Sequence, residues 1–194
     1  RTGRQCVQAL FSTVTNVNFD KTPLLDMLGK VVAGRDALIE DAGLTRELPV
    51  LAFFPSGNET ELLEQRKYFS PDHFASDPDV RSLAQTLLFG LKGAAAYADH
   101  AAVLRVEDAS LYASFYKGLA FGFDGKTPSL DEWVAAVLAC GQPNLKAMEL
   151  LDAANTGAYG HPEPTTVSLA PREGKAILVT GHDLKDLYEL LKQT

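Results

Sequence analysis

The chain has 194 residues, 46% of them hydrophobic and 22% charged, with a formal net charge of −7. A chain of this size buries roughly 70% of the surface its unfolded form exposes, which is enough for a core without disulfide or metal staples. The composition excludes a disordered chain, the lack of an apolar run of about 20 residues excludes a membrane-spanning helix, and the acidic balance argues against nucleic acid or an anionic membrane as partner.

Most of the sequence carries helical periodicity. Leu24, Leu25, Leu28, Val31, Val32, Leu38 and Ile39 recur at spacings of three and four, between Pro23 near the start and Gly43 at the end. Asn58-Glu59-Thr60-Glu61 is the acidic opening that a helix N-terminus prefers, and Leu62 and Leu63 follow it. The longest signal runs from about Asp79 to Leu104. There Val80, Leu83, Leu87, Leu88 and Leu91 lead into Gly93-Ala94-Ala95-Ala96, small residues that let another helix or loop approach closely. A further helix is expected from Glu107 to Phe121. Ser129-Leu130-Asp131-Glu132 follows the capping-box pattern and opens a helix through Trp133, Val134, Val137 and Leu138 that Gly141 ends. Pro143 begins another, through Leu145, Met148, Leu150 and Leu151 to Gly157.

The character changes there. Gly157-Ala158-Tyr159-Gly160-His161-Pro162-Glu163-Pro164 is loop chemistry, with two glycines, two prolines and no periodicity. Thr166-Val167-Ser168-Leu169 reads as a short strand. The glycine-bracketed apolar run Gly174-Lys175-Ala176-Ile177-Leu178-Val179-Thr180-Gly181 reads as a buried one. Asp183 to Thr194 is a helix with Leu184, Leu187, Tyr188 and Leu191 on one face. The expected fold is therefore mainly α: a helical bundle over 1–156, then, over 157–194, a linker loop and the first strand–helix of an α/β, Rossmann-like domain. One strand cannot make a sheet. The chain starts at Arg1 without an initiator Met and ends at Thr194 inside a helical pattern, so both ends are expected to be cut and most of the second domain to lie outside.

Few residues carry a chemical pattern. Cys6 and Cys140 form no CxxC pair, cannot build a disulfide framework or a self-contained metal site, and read as small buried hydrophobes in a reducing cytoplasm. His182 is best placed, in the loop between the end of the apolar strand and the start of the last helix, where open α/β sheets put their ligands. A neutral imidazole there can ligate a metal, with Asp183 or a backbone carbonyl fixing its tautomer, while the competing reading is a plain turn capped by Asp183. His161 reads as a turn residue, and His73 has no supporting pattern. Asp99 and His100 are adjacent on a helix and point in different directions, which suits a solvated helix end near Tyr97 better than a site. Asp131-Glu132 and the Asp183/Asp186 pair read as helix-start charges. Gly174-Lys175 precedes a strand and is no phosphate loop, and no nucleophile elbow occurs.

Four segments in order then resemble one family. They are residues 11–20 (FSTVTNVNFD), 90–97 (GLKGAAAY), 157–162 with Pro164-Thr165 (GAYGHP, PT), and 174–187 (GKAILVTGHDLKDL), of which the last is the most diagnostic. Together they resemble the hybrid cluster protein family, also called prismane proteins or hydroxylamine reductases, with only about Arg46 to Asp79 divergent. The carbon monoxide dehydrogenases share the architecture that this implies but not these motifs.

The resemblance implies a three-domain oxidoreductase, a helical domain followed by two α/β domains, that reduces hydroxylamine to ammonia and is implicated in nitric oxide reduction and nitrosative stress. It implies an Fe4S4 or Fe2S2 cluster on an N-terminal cysteine motif and a hybrid iron–sulfur–oxygen cluster at the domain junction. The histidine of the GHDLKDL motif maps onto His182 as a hybrid-cluster ligand. The cysteine motif and a THGE-type glutamate would lie before Arg1 and beyond Thr194, and Cys6 and Cys140 match no ligand position. The chain alone is accordingly expected to bind no cluster and to be inactive, with the missing α/β domains, or a chain supplying them, and an electron-donor protein as partners. Two alternatives are a subunit of a split enzyme and a non-catalytic helical scaffold.

Overall fold

A first helical turn leaves four backbone N–H groups without partners, and this chain places an accepting side chain at almost every such point. In the computed structural model, which describes residues 2–14, 20–47, 53–70 and 75–194, Asp20 caps α2 (Lys21–Asp41) and Asn58 caps α3 (Glu59–Gln65). Asp77 caps α4 (Pro78–Val103) and Asp108 caps α5 (Ala109–Ala120). Each cap contributes about 1 kcal/mol. At α6 (Leu130–Ala139) the expected capping box is complete. The Ser129 N–H donates to Glu132 Oε2 at 2.7 Å and the Glu132 N–H to Ser129 Oγ at 3.3 Å. The Ser129 N–H and the Ser129 hydroxyl, both donating to the carboxylate, hold the Glu132 carboxyl below its usual range.

Two boundaries differ from the sequence expectation. Gly141 is not a stop but the first residue of α7 (Gly141–Tyr159), because Cys140 keeps helical dihedrals (φ −61°, ψ −19°) and serves both helices. Pro143 costs nothing there, since the third N–H of a helix has no internal partner. Gly157 does not end α7 either. The chain leaves the helix at Gly160, whose φ of +85° is the conformation that glycine adopts without strain. A helix outside the sequence expectation, α1 (Thr2–Ser12), precedes the rest, with Val7 fully buried.

The long α4 is the axis of the molecule. It packs against α7, α1, α6 and α5, and α1 also packs on α2 and α5. The run of small residues makes this possible: Ala94, Ala95, Ala98, Ala101 and Ala102 are each at most 4% exposed, so the neighbouring helices approach close to the backbone. Leu87, Leu91, Leu111, Phe115, Trp133 and Cys140 fill the remaining core. The α1 helix comes so near that a Cβ on Gly3 would lie 2.7 Å from Tyr112 Cγ. At the periphery Arg35 donates to the Phe53 carbonyl at 2.6 Å, and Arg35 and Arg46 lie over the Phe54 ring at 5.3 and 5.0 Å. Lys21 pairs with Glu59 at 2.6 Å, linking α2 to α3.

The expected strands do not form. Among the described residues there is no strand, and the chain from Gly160 to Asp183 is exposed throughout, with Leu169 98% and Leu178 90% exposed. A strand exists only through the ladder it makes with another strand, and the two apolar runs do not pair with each other. The last helix, α8 (Leu184–Leu191), does form and is capped by Asp183. Among the described residues no helix is long and apolar enough to cross a membrane.

Candidate functional site

Gly181 has a φ of +114°, a backbone shape open to glycine, and it turns the chain so that His182 comes next and Asp183 can cap α8. The Asp183 carboxylate accepts from the Lys185 and Asp186 N–H groups at 3.0 and 3.3 Å. Asp183 is thereby occupied with the helix start, as the plain-turn reading expects. The imidazole of His182, however, does not stand alone. Its ring lies nearly parallel to that of His100 from the last turn of α4, with centroids 6.3 Å apart and planes 16° apart. Phe11 of α1 meets the other ring edge-on at 5.3 Å. Beside this pair is a cavity of about 470 Å³, whose lining includes His100, Val179, His182, Asp186, Leu187 and Leu190.

His100 is the residue that sequence reasoning passed over. Its neighbour Asp99 does point elsewhere, as adjacency on a helix requires, but neither sits at a solvated end. Asp99 turns inward toward Arg4 and Gln8, and its Oδ1 is buried without a hydrogen-bond partner. The only available signal was its place within the residues following GLKGAAAY, and adjacency by itself does not show what a neighbouring helix and a distant loop bring to each face. The phenol of Tyr112 donates to Glu107 on the same side of α1, and burial with that carboxylate holds it above its ordinary range.

Burial, the largest influence on Asp99, raises its carboxyl above the usual range, against the opposing effects of Arg4, Gln8 and His100. The folded state therefore holds this proton more tightly than the unfolded chain, where an aspartate titrates at about 3.9. Stability from neutral Asp99 is complete below that value and is lost as pH rises from about 4 through the raised folded value. Asp99→Asn should therefore be the more stable protein at neutral pH, with the difference closing toward pH 4. Melting temperatures of both proteins across pH 4–8 check this, and parallel curves would refute it.

The other candidates are dispersed. His161 is exposed on the loop after α7, and His73 lies outside the described residues, as do residues 15–19 of the FSTVTNVNFD segment. Cys6 is half-buried on α1 and Cys140 is 8% exposed against Gly90, where a Cβ would lie 3.0 Å from its Sγ. Burial raises both thiols, the opposite of what a ready thiolate ligand needs, and neither lines the cavity at His182. Among the described residues no three His, Cys, Asp or Glu side chains stand together to hold a metal ion. Each cluster iron needs about four ligands, largely thiolate or sulfide, so the described residues do not by themselves fit an iron–sulfur group. His182 supplies at most one donor.

Residues 2–194 match the family model described as "Prismane/CO dehydrogenase family". The chain is 50% identical over 196 residues to the hydroxylamine reductase of Solidesulfovibrio magneticus, covering 100% of this chain and 36% of that protein. It is 49% identical to that of Syntrophobacter fumaroxidans, covering 96% of this chain and 35% of the relative. To that of Methanocella arvoryzae it is 46% identical, over 97% of this chain and 36% of the relative. The chain thus spans about a third of the length of the curated relatives it matches.

Proposed function

We propose, for a chain that belongs to the Prismane/CO dehydrogenase family, that it is the helical part of an iron–sulfur oxidoreductase reducing hydroxylamine to ammonia. One observation carries the reading: identity of 50% to a hydroxylamine reductase over an alignment that covers the whole chain. In this reading residues 1–156 are the helical domain, and residues 157–194 are the linker and the first strand and helix of an α/β domain. His182 binds one iron of a hybrid iron–sulfur–oxygen cluster whose other ligands come from outside these 194 residues. A second, Fe4S4 or Fe2S2, cluster lies on a cysteine motif that is likewise outside. The chain alone is inactive, electrons come from a donor protein in the cytoplasm, and neither nucleic acid nor membrane takes part.

The exposed Ile177-Leu178-Val179 run (65%, 90% and 49%) supports this assignment, since pairing it into a sheet would take its apolar surface out of water. The same exposure favours, as a second reading, completion of the enzyme by a separate polypeptide. Metal analysis tests the role of His182. In the intact protein His182→Ala should lose the iron and sulfide of one cluster, keep those of the other, and reduce hydroxylamine at background rate. Unchanged iron, sulfide and visible absorption would overturn the ligand role.

A further inference from the structure

We propose that His100 is a positioning residue, the seat on the helical body that fixes where the His182 turn stands. The sheet proposed above would hold the turn from the side of Thr180. On the side of the helical body, where the chain from Gly160 to Thr180 is exposed, the turn is joined by contacts that it and α8 make with the helices.

Among the described residues, ring contacts stand at both ends of the segment. His182 lies flat against His100 at 6.3 Å, and Tyr188 meets Tyr159, at the end of α7, at 5.8 Å. Tyr188 lies about 6 Å along the helix axis from its first residue Leu184, and His182 precedes that start, so the two ring contacts fix the direction of α8 as well as its distance from the body. Leu187 and Leu190 complete the contact from the same helix by lining the cavity against His100.

The seat itself cannot move easily. His100 stands among Ala98, Ala101 and Ala102, which are at most 4% exposed in the seam of α4. Phe11 braces its ring at 5.3 Å from the side of α1. Phe11, His100 and His182 thus form a ladder of three rings, in which the first two belong to the packed body and the third to the turn. The value of the seat for a ligand at 182 rests on the reading of His182 given above. Its existence does not.

Peptide-resolved amide hydrogen exchange on the full-length protein tests this. In His100→Ala, amides over 181–191 should exchange roughly three- to tenfold faster, the factor an aromatic pair supplies, while those over 87–98 stay protected. His100→Phe, which keeps a flat ring without imidazole nitrogens, should restore the slow exchange. Unchanged exchange over 181–191 in His100→Ala, or failure of phenylalanine to restore it, overturns the proposal. Should His100→Ala unfold, recognised by lost protection over 87–98, Tyr159→Ala takes its place: faster exchange over 181–191 supports two-point seating and no change overturns it. Seat and ligand role separate cleanly, since exchange reports the first and the iron content of His182→Ala the second.

Discussion

Trp133→Ala is expected to remove about 3–5 kcal/mol of stability, the range for deleting a large buried aromatic. The α6 helix that carries it turns much of its apolar surface outward, with Leu130, Val134 and Leu138 at 43%, 41% and 73% exposure. What holds α6 to the body is Trp133, 2% exposed and set perpendicular to Phe121 at 4.8 Å. An alanine would leave a void that Phe121 on its loop and Ala136 and Val137 on a rigid helix cannot close. Domains of this kind are stable by only about 5–15 kcal/mol, so the change takes a large share of the total. Urea unfolding followed by far-ultraviolet circular dichroism measures it. Fluorescence cannot serve for the variant, because Trp133 is the sole tryptophan. A loss under about 1 kcal/mol would mean that α6 is not anchored this way.

Ala95→Leu is the second large effect, expected near 3 kcal/mol. Overpacking a tight core costs about 1–3 kcal/mol, and this site belongs at the upper end. Ala95 is 0% exposed on the helix that α1, α6 and α7 all pack against, so three extra carbons must push apart whole helices rather than single side chains. Alanine and leucine are both strong helix formers, so little of the loss can come from the helix itself. Ala153→Leu, the same exchange on the exposed side of α7, should stay within about 0.5 kcal/mol. Equal effects at the two positions would contradict the close packing of α4.

The expectations met by the fold are those that rest on local chemistry. Ser129 and Glu132 form their capping box because both partners lie within one helical turn, and the long helix appears because its apolar and small residues repeat at helical spacing. The stops at Gly141 and Gly157 failed for a matching reason: a glycine only permits a helix to end, and neighbouring contacts decide whether it does. The α1 helix is too short to be stable alone, and it is held mainly by burying Val7 and by the close approach of Gly3 to Tyr112.

The site divides in the same way. The Gly181-His182-Asp183 turn was legible as a glycine that permits the bend, a histidine that can donate to a metal, and an aspartate that caps the next helix. His100 was not legible, because 82 residues separate it from His182 and nothing local in the sequence signals a ring contact across that distance. By itself the sequence determined the helical class, the capped starts of α6 and α8, the family through motifs in order, and His182 as the candidate ligand, since each depends on residues close together in the chain. Only the tertiary structure decided that α4 is the axis, that the apolar run at Ile177 makes no strand among the described residues, and that His182 stands against His100 and Phe11. Those outcomes depend on which surfaces meet, and burial is a property of the packed molecule rather than of any one segment.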